Sequence, residues 1–333
     1  MPPLPKVTVA LPVLNEERDI ARCLNSIRKQ DYPSDLIEVI VADGGSTDHT
    51  EEIVRSYGYT FMHNPHRLAE PGLALAYTQA SGELFVHMAA DNELRETNWL
   101  REMVQPFLKN QNIVGAYCRV ECNQDDDAFL KYFNSDTDPF SAFVYWSASH
   151  PKTFRKQFPV KTSTDAYVVY QFDSRNYPLV AFAQGFIIRR SYPRPPETSH
   201  DDILPIVHII EQGYDLAYVR TVTIGHYVFD GFTHYRRRML RKVSESFTQA
   251  NHGFHAREKT MTPVRRWRQY LFLPWALTLI GPSICACSRF IRTGRWYHFY
   301  HIPASFLLAG YIVRMALEVR VLRFRKVPTT QYH

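Results

Sequence analysis

Three groups of polar side chains stand where predicted strands of the first 100 residues end, at Asn15-Glu16, Asp43–Asp48 and Asp91–Glu93. Ligands of an open parallel sheet bind in the crevice outside the carboxyl ends of the strands, so these groups are expected to converge. Asp43 is suited to accept hydrogen bonds from ribose hydroxyls or a base N–H. Asp91 is suited to hold Mg²⁺ or Mn²⁺, because these ions take oxygen ligands and often share them with substrate phosphates. Together the groups predict a crevice that binds a nucleoside diphosphate.

A further acidic pair, Asp201-Asp202, precedes a predicted helix at Ile203–Gln212. A carboxylate there is suited to remove a proton from an acceptor hydroxyl. Each acid also has a purely structural alternative, with Asp43 forming a turn and Asp201 or Asp202 capping the helix. The presence of three acidic groups at one predicted sheet edge favours the functional interpretation.

The elements that must position these residues alternate between period-2 and helical patterns. Helical patterns with short turns separate four apolar segments, which predicts an α/β fold with a mostly parallel sheet covered on both faces. The predicted strands are Lys6–Leu11, ended by Pro12, then Leu36–Ala42, Tyr59–His63 and Glu83–Ala89.

Composition divides the 333 residues into two regions. Residues 1–230 carry 21 Lys or Arg and 30 Asp or Glu, whereas residues 231–333 carry 18 and three. We therefore predict a catalytic domain over 1–230, with a nucleotide-binding half at 1–100 and an acceptor half at 101–230. A basic helical region at 231–333 follows, and its charge calls for a polyanionic partner.

Two uncharged runs in the basic region, 270–288 and 296–313, are each near the lower limit for a membrane-spanning helix. Trp, Tyr and Arg flank them, as in segments that lie at lipid headgroups. We predict membrane association, and the prolines within the runs favour a re-entrant or interfacial hairpin; core helices of a soluble subdomain are the alternative. Long uncharged runs argue against nucleic acid as the partner.

The segments VALPVLNEERDIARCLNSI, EVIVADGGSTDHT and ASGELFVHMAADNEL resemble inverting glycosyltransferases of family 2, which have the Rossmann-like GT-A fold. The resemblance is close over residues 5–100 and looser over 180–245. It implies that Pro12, Asn15, Glu16 and Asp43 contact the nucleotide of a sugar donor of UDP or GDP type.

The metal motif departs from the family pattern, which has Asp-x-Asp after the fourth strand. Here Ala89 replaces the first acid, and Asp91 is the retained second acid. The resemblance implies that Asp91 still binds Mg²⁺ or Mn²⁺, and the loss of the first acid leaves the affinity for the metal and the dependence on it open. His226 fits a position that faces the metal or diphosphate; a core or loop histidine is its alternative.

The same resemblance implies that Asp202 is the general base, with Asp201 as the alternative. The basic stretch Arg236, Arg237 and Arg238 fits a segment that closes over the donor diphosphate, since guanidinium groups suit phosphate oxygens. A solvated helix face or contact with lipid phosphates are the other interpretations of this stretch.

The predicted function is transfer of a sugar from a nucleotide-sugar to an acceptor hydroxyl by single displacement with inversion. We expect a lipid-linked or cell-envelope glycan acceptor, such as a polyprenyl-phosphate sugar, at the cytoplasmic face of a membrane. The five cysteines and an N-terminus without the pattern of a secretory signal favour that compartment. A non-catalytic relative that binds nucleotide-sugars or lipids is the alternative. A nucleotidyltransferase is less favoured, because no Gly-rich loop with a partnering Lys is found.

Overall fold

The computed structural model describes residues 3–192, 202–248 and 258–324. The chain forms two compact units, the first from residues 1–126 and 147–228 and the second from 127–146 and 229–333. The main division falls beside the predicted boundary at residue 230. Residues 127–146, predicted as part of the acceptor half, belong instead to the second unit.

The first unit contains a ten-stranded sheet. Its strands are β1 (Val7–Val13), β2 (Ile37–Asp43), β3 (Thr60–His63), β4 (Leu84–His87), β5 (Asn92–Leu94), β6 (Ile113–Val120), β7 (Val160–Ser163), β8 (Tyr167–Tyr170), β9 (Phe186–Arg189) and β10 (Asp215–His226).

The strand order is β3-β2-β1-β4-β9-β6-β10-β8-β7, and β5 pairs with β10. Strands β1 to β4 pair in parallel, as predicted. Strand β9 inserts antiparallel between β4 and β6, and β8 and β7 add antiparallel strands at the far edge. The sheet is therefore parallel in its first half and mixed in its second.

The helices of the first unit are α1 (Ile20–Arg28), α2 (Thr50–Ser56), α3 (Ala69–Gln79), α4 (Trp99–Lys109) and α7 (Leu204–Glu211). The helices of the second unit are α5 (Ala128–Asp136), α6 (Pro139–Tyr145), α8 (Gly231–Thr248), α9 (Pro263–Leu277), α10 (Ile280–Thr293) and α11 (His301–Phe324).

Side chains of β1 point alternately to the two faces of the sheet, and helices cover both faces. Val9 and Leu11 are fully buried in a core that includes Leu24 of α1 and Trp99 of α4. On the opposite face, α3 approaches so closely at Gly72 that an added Cβ would touch the side chains of Pro12 and Ala42. Burial of both faces explains why these strands are continuously apolar.

The prediction that Pro12 ends the first strand is wrong, because β1 continues to Val13. Pairing of β1 with β4 stops at Ala10, so Pro12 lies beyond that ladder. Because Pro12 has no N–H to donate, its position there costs no hydrogen bond between β1 and β4. The extension brings the end of β1 level with the end of β2, where Val13 is paired with Asp43.

In the second unit, the uncharged run 270–288 is not one continuous helix. Leu279 adopts a left-handed conformation with φ 62°, and α9 and α10 are bent by 88° at this break. The second run lies in the segment Trp296–Glu318, which has a mean hydropathy of 1.2 and is 33% buried. That segment is long and apolar enough to cross a bilayer, a property it shares with core helices of soluble proteins.

Candidate functional site

The loops that follow β1 and β2 are joined by hydrogen bonds. Asn15 has φ 56°, and its Oδ1 accepts from the Thr47 N–H at 2.8 Å. The Asn15 N–H donates to Ser46 Oγ at 2.8 Å, and the Glu16 N–H donates to Thr50 Oγ1 at 2.8 Å. Asn15 therefore uses its side chain and backbone within the loop, and α1 begins only at Ile20.

The Asp43 carboxylate is buried and shapes the turn at the end of β2. It accepts from the Gly45 N–H at 2.8 Å, from the Ser46 N–H at 2.9 Å and from the Ser46 hydroxyl. Gly45 has φ +88°, a conformation that favours glycine. The structural alternative for Asp43 is thus present in the fold, and its contact with a nucleotide stays a prediction.

An ion pair also links the two loops. Glu17 Oε2 lies 2.8 Å from the ring nitrogen Nδ1 of His49. The same oxygen accepts a hydrogen bond from the backbone N–H of His49 at 3.1 Å. The backbone hydrogen bond from His49, followed by that of its ring, lowers the pKa of Glu17. The hydrogen bond to Glu17 raises the pKa of His49.

These shifts predict a pH window for the link between the loops. The stability that His49 contributes to the folded state is fully present below its ordinary pKa of about 6.5. It is lost as the pH rises through the raised pKa of His49. The contribution of Glu17 is lost as the pH falls through its lowered value. NMR titration should find the His49 pKa above its ordinary value in the native protein and close to it in Glu17→Gln. An unchanged His49 pKa in that variant would show that Glu17 is not its partner.

Asp91 and His226 face each other where β4 and β10 end. Asp91 Oδ2 lies 3.6 Å from His226 Nε2, and the two side chains are 19% and 12% exposed. Asn92 donates to Asp91 Oδ1 at 3.3 Å and accepts the Ala89 N–H at 3.0 Å. Pairing of β5 with β10 sets Asn92 opposite His226, which brings these residues together although they are far apart in sequence.

A two-ligand set fits an ion that is shared with a substrate. Mg²⁺ is usually held by one or two carboxylates and completes its shell with water and phosphate oxygens, and Mn²⁺ prefers the same oxygen ligands, so Asp91 is the main ligand of this pair and His226 an additional one. Across the described parts of the chain, no group of three or more His, Cys, Asp or Glu side chains is arranged to hold a metal. Asp91 and His226 therefore fit a substrate-bridged cation and not a closed structural metal centre.

Sequence patterns do not identify two neighbours of His226 as site residues. Gln184 Nε2 lies 3.3 Å from His226 Nδ1, in a turn where Gln184 and Gly185 have φ 54° and 77°. Tyr227 donates its backbone N–H to the Asp91 carbonyl at 2.8 Å. The Gln-Gly pair before an apolar strand was the one available clue to this turn.

Tyr227 ties the Asp91–His226 pair to a charged network. Its hydroxyl donates to Glu93 Oε2 at 2.7 Å, and Arg95 binds the same carboxylate oxygen at 2.8 Å. The Arg22 guanidinium lies 3.5 Å from the centre of the Tyr227 ring, a cation–π contact. Burial, followed by the hydrogen bond to Glu93, raises the pKa of Tyr227 to about 12, so the phenol stays a donor at neutral pH.

Tyr227→Phe should lower the free energy of unfolding by about 1.5–3 kcal/mol, because it deletes a hydrogen bond to a charged acceptor. Urea unfolding measures this loss. Tyr270→Phe is the matched control, since Tyr270 is 75% exposed, and it should change stability little. Equal losses in both variants would contradict a structural role for the Tyr227 hydroxyl.

Cys23 lies beneath both parts of the site. Its thiol donates to the Ala89 carbonyl at 3.6 Å and is fully buried. Burial raises the pKa of Cys23, and the charges of Asp91, Arg22 and Glu16 also act on it. The thiol is therefore neutral and supports the chain just before Asp91.

Asp202 is exposed and is attached to the same end of the sheet through its backbone. Its carbonyl accepts the Phe182 N–H at 2.7 Å, and the Phe182 ring lies 3.7 Å from that of His87 at the end of β4. Ile203 occupies the N-cap position of α7 and makes no side-chain capping bond. Asp201 lies outside the described residues. Residues 182–185 thus connect Asp202 to His226 through a single short segment.

The three consecutive arginines lie on α8 in the second unit. Arg236 and Arg237 are exposed, and the Arg238 guanidinium lies 5.7 Å from the Phe229 ring centre. Their closure over a diphosphate stays a prediction. Arg237 lines an open groove of about 370 Å³ between α8 and α11, which is formed by Arg237, Leu240, Arg241, Ser244, Arg314, Met315 and Glu318.

Comparison with solved structures confirms the fold class. The chain is similar to a mannosyltransferase of Pyrobaculum calidifontis, PcManGT, solved in complex with GDP-Man and Mn²⁺. The TM-score is 0.58 at 20% identity, over 95% of this chain and 87% of that one. At this identity the likeness shows the fold alone, which is the predicted GT-A architecture.

Comparison of sequences identifies the family. A segment is 45% identical over 58 residues to glycosyltransferase AglE of Haloferax volcanii, covering 17% of this chain and 19% of the relative. Another is 37% identical over 49 residues to a dolichyl N-acetyl-alpha-D-glucosaminyl phosphate 3-beta-D-2,3-diacetamido-2,3-dideoxy-beta-D-glucuronosyltransferase of Methanococcus voltae, or 15% of each chain. The matched segments thus span less than a fifth of these relatives. The model of the family "Glycosyl transferase family 2" matches residues 8–174, half of the chain. This chain belongs to glycosyl transferase family 2.

Proposed function

We propose that the chain transfers a hexose-type sugar from a nucleotide-sugar to an acceptor hydroxyl, with inversion at the anomeric carbon. The observation that carries the proposal is the facing pair Asp91 and His226, 3.6 Å apart where β4 and β10 end. This edge of the sheet also bears the joined loops of Asn15 and Asp43. Ligand binding at such an edge is the general rule for open α/β sheets.

The donor nucleotide is assigned to the loops after β1 and β2. Pro12, Asn15, Glu16 and Asp43 stand at these strand ends, and their hydrogen bonds fix the loops before a ligand arrives. A preformed loop loses less conformational entropy on binding than a mobile one. The GDP-Man in the similar mannosyltransferase structure supports a donor of GDP type, and UDP is the other candidate.

The donor diphosphate is assigned to Asp91 and His226 together with Mg²⁺ or Mn²⁺. When bound, the cation supplies positive charge against the diphosphate that leaves. Gln184 lies beside His226 Nδ1, and with its amide oxygen turned to that nitrogen it would accept the Nδ1 proton and leave the Nε2 lone pair for the cation. The Mn²⁺ in the similar structure supports this assignment, and Ala89 in place of a first acid makes the affinity for the ion weaker.

Asp202 is proposed as the general base, with Asp201 as the alternative. Its carboxylate accepts the proton of the acceptor hydroxyl while the oxygen forms a bond to the anomeric carbon. The bond from that carbon to the diphosphate oxygen breaks, and its electron pair leaves with the diphosphate. Attack opposite the leaving group inverts the anomeric configuration.

The proposed acceptor is a lipid-linked glycan at the cytoplasmic face of a membrane. The basic region 231–333 suits an anionic surface, and the Methanococcus voltae relative has a dolichyl phosphate acceptor in its name. An acceptor held in the bilayer would present its hydroxyl to a catalytic unit that is bound at the membrane surface.

The stereochemistry of the product tests the mechanism. The protein is incubated with Mn²⁺, a donor that it consumes and membrane lipid extract, and ¹H NMR measures the anomeric coupling of the product. We expect the configuration opposite to that of the donor. A product with the donor's configuration would contradict single displacement.

Replacement of the first metal acid by Ala89 favours a second candidate, a non-catalytic protein that binds nucleotide-sugars. Such a protein would be stabilised by the donor without releasing nucleoside diphosphate. Slow donor hydrolysis in the presence of Mn²⁺ distinguishes the two.

A further inference from the structure

The α9–α10 pair, which we term the elbow, combines a sharp bend with an apolar outer face. The bend of 88° is located at Leu279. Its inner side is buried within the second unit, where Phe272 and Ala276 are fully buried and Phe272 packs against Phe140. The elbow is thus anchored on one side and open on the other.

Large apolar side chains are exposed along both helices of the elbow, and we term this set the stripe. On α9, Tyr270 and Leu271 lie three and four residues after Trp267. On α10, Ile284 lies four residues after Ile280 and Ile291 lies seven after Ile284, so on each helix these residues share one face. Large side chains at these positions are 39% to 80% exposed: Trp267, Tyr270, Leu271, Leu277, Leu279, Ile280, Ile284 and Ile291. An apolar stripe of this kind marks a surface that meets a partner.

The charge around the stripe is of one sign. Residues 259–317 contain eight Lys or Arg and no Asp or Glu. The cations lie at the two ends of the elbow, with Arg266 and Arg268 before the apolar stretch and Arg289, Arg292 and Arg295 after it. Basic residues with Trp and Tyr beside an apolar segment are the arrangement found at lipid headgroups.

The lengths of the two helices limit how deep the elbow can go. Helices of 15 and 14 residues extend about 22 Å each, less than the roughly 30 Å of a bilayer core. The two helices are together apolar enough for a broken span or a re-entrant loop, and the bend of 88° favours a shallow, re-entrant arrangement.

We infer that the elbow is a monotopic membrane-insertion surface, which enters one leaflet of a bilayer that contains anionic lipid. The exposed stripe lies among the acyl chains near the headgroups, and the arginines at its ends contact lipid phosphates. The inference concerns the second unit by itself and does not depend on the proposed transfer activity. Failure of lipid binding would not contradict the proposed transfer activity. Absence of turnover would not contradict the proposal that the elbow inserts into a membrane.

Vesicle flotation of the full chain tests the inference. We expect co-flotation with vesicles of phosphatidylcholine and phosphatidylglycerol, weaker binding to phosphatidylcholine alone, and a decrease with salt. The double variant Ile280→Glu and Ile284→Glu should bind at least about tenfold more weakly, since acidic side chains are costly among acyl chains. Val160→Glu is the matched control, because Val160 is 43% exposed on β7 of the first unit, and it should float like the native protein.

A second pair of variants guards against misfolding. Arg266→Gln and Arg292→Gln leave the stripe intact, and each should weaken binding to anionic vesicles by about fivefold while binding to neutral vesicles stays unchanged. Circular dichroism and the melting temperature verify that every variant is folded.

Three outcomes would overturn the inference. One is equal flotation of the native protein and the folded double variant. Another is no binding of the native protein to either vesicle. The third is a dimer in sedimentation that the double variant abolishes without any change in flotation, which would make the stripe a protein interface.

Discussion

Asp202→Asn is expected to lower the rate of sugar transfer by about 10²- to 10⁴-fold, the usual contribution of a general base. Asparagine keeps the size of the side chain but cannot accept the proton of the acceptor hydroxyl. The backbone bond from Phe182 to the Asp202 carbonyl does not involve the side chain, so the local fold should persist. Nucleoside diphosphate release with acceptor present measures the rate, and donor affinity should be unchanged.

Asp201→Asn is the control, because it makes the same change at the adjacent acid. We expect it to retain most of the transfer rate. A large loss in Asp201→Asn with normal turnover in Asp202→Asn would move the base to Asp201. Normal turnover in both variants would contradict any role of this acidic pair as the base.

Asp91→Asn should weaken donor binding in the presence of Mn²⁺ by about 100-fold or more, since changes even at the partners of metal ligands cost about 10- to 100-fold. The substitution removes the negative charge of the carboxylate that faces His226 at 3.6 Å. Calorimetric titration of the donor with Mn²⁺ and with EDTA separates this effect from general damage. In EDTA, the native protein and the variant should bind the donor equally weakly.

His226→Gln provides the companion measurement, because it replaces the other member of the pair and keeps a polar side chain. We expect this variant also to weaken donor binding only in the presence of Mn²⁺. The loss of affinity should be smaller than in Asp91→Asn, because a neutral ligand is removed rather than a charged one. If Asp91→Asn left the Mn²⁺ dependence intact, the cation would be held elsewhere and the pair would be structural.

The first half of the sheet was predictable because its signals are local. Strands β1, β2 and β4 are short apolar runs ended by polar turns, and the carboxyl ends of parallel strands meet at one edge. That rule alone places Asn15 and Asp43 near each other, and Ser46 joins them through its hydrogen bonds to both.

The second half was not predictable in the same way. Strand β9 is four residues long and lies between β4 and β6, a position fixed by pairing between distant segments. The place of residues 127–146 in the sequence predicts that they belong to the catalytic domain, whereas the structure groups them with 229–333. Periodicity reports the type of an element and not its partner.

The same limit explains the neighbours of the predicted site residues. Gln184 and Tyr227 have ordinary side chains in sequence, and their importance comes from contacts with His226, Asp91 and Glu93. The break at Leu279 is unpredictable from the sequence for a related reason. A left-handed leucine is uncommon and has no sequence signature, so the run 270–288 gave no position for the bend.

Binding of a nucleotide-sugar in a metal-dependent manner is the central claim, and thermal stabilisation by a panel of nucleotides tests it most directly. Each nucleoside diphosphate and nucleotide-sugar is added with and without Mn²⁺, and the melting temperature is recorded. A ligand at 100 times its dissociation constant adds about 2.7 kcal/mol to the stability of the folded state. We predict a shift with GDP or UDP compounds that is larger with Mn²⁺ and lost in Asp91→Asn. No shift with any nucleotide, in either condition, would contradict the donor site at the carboxyl ends of β1, β2 and β4.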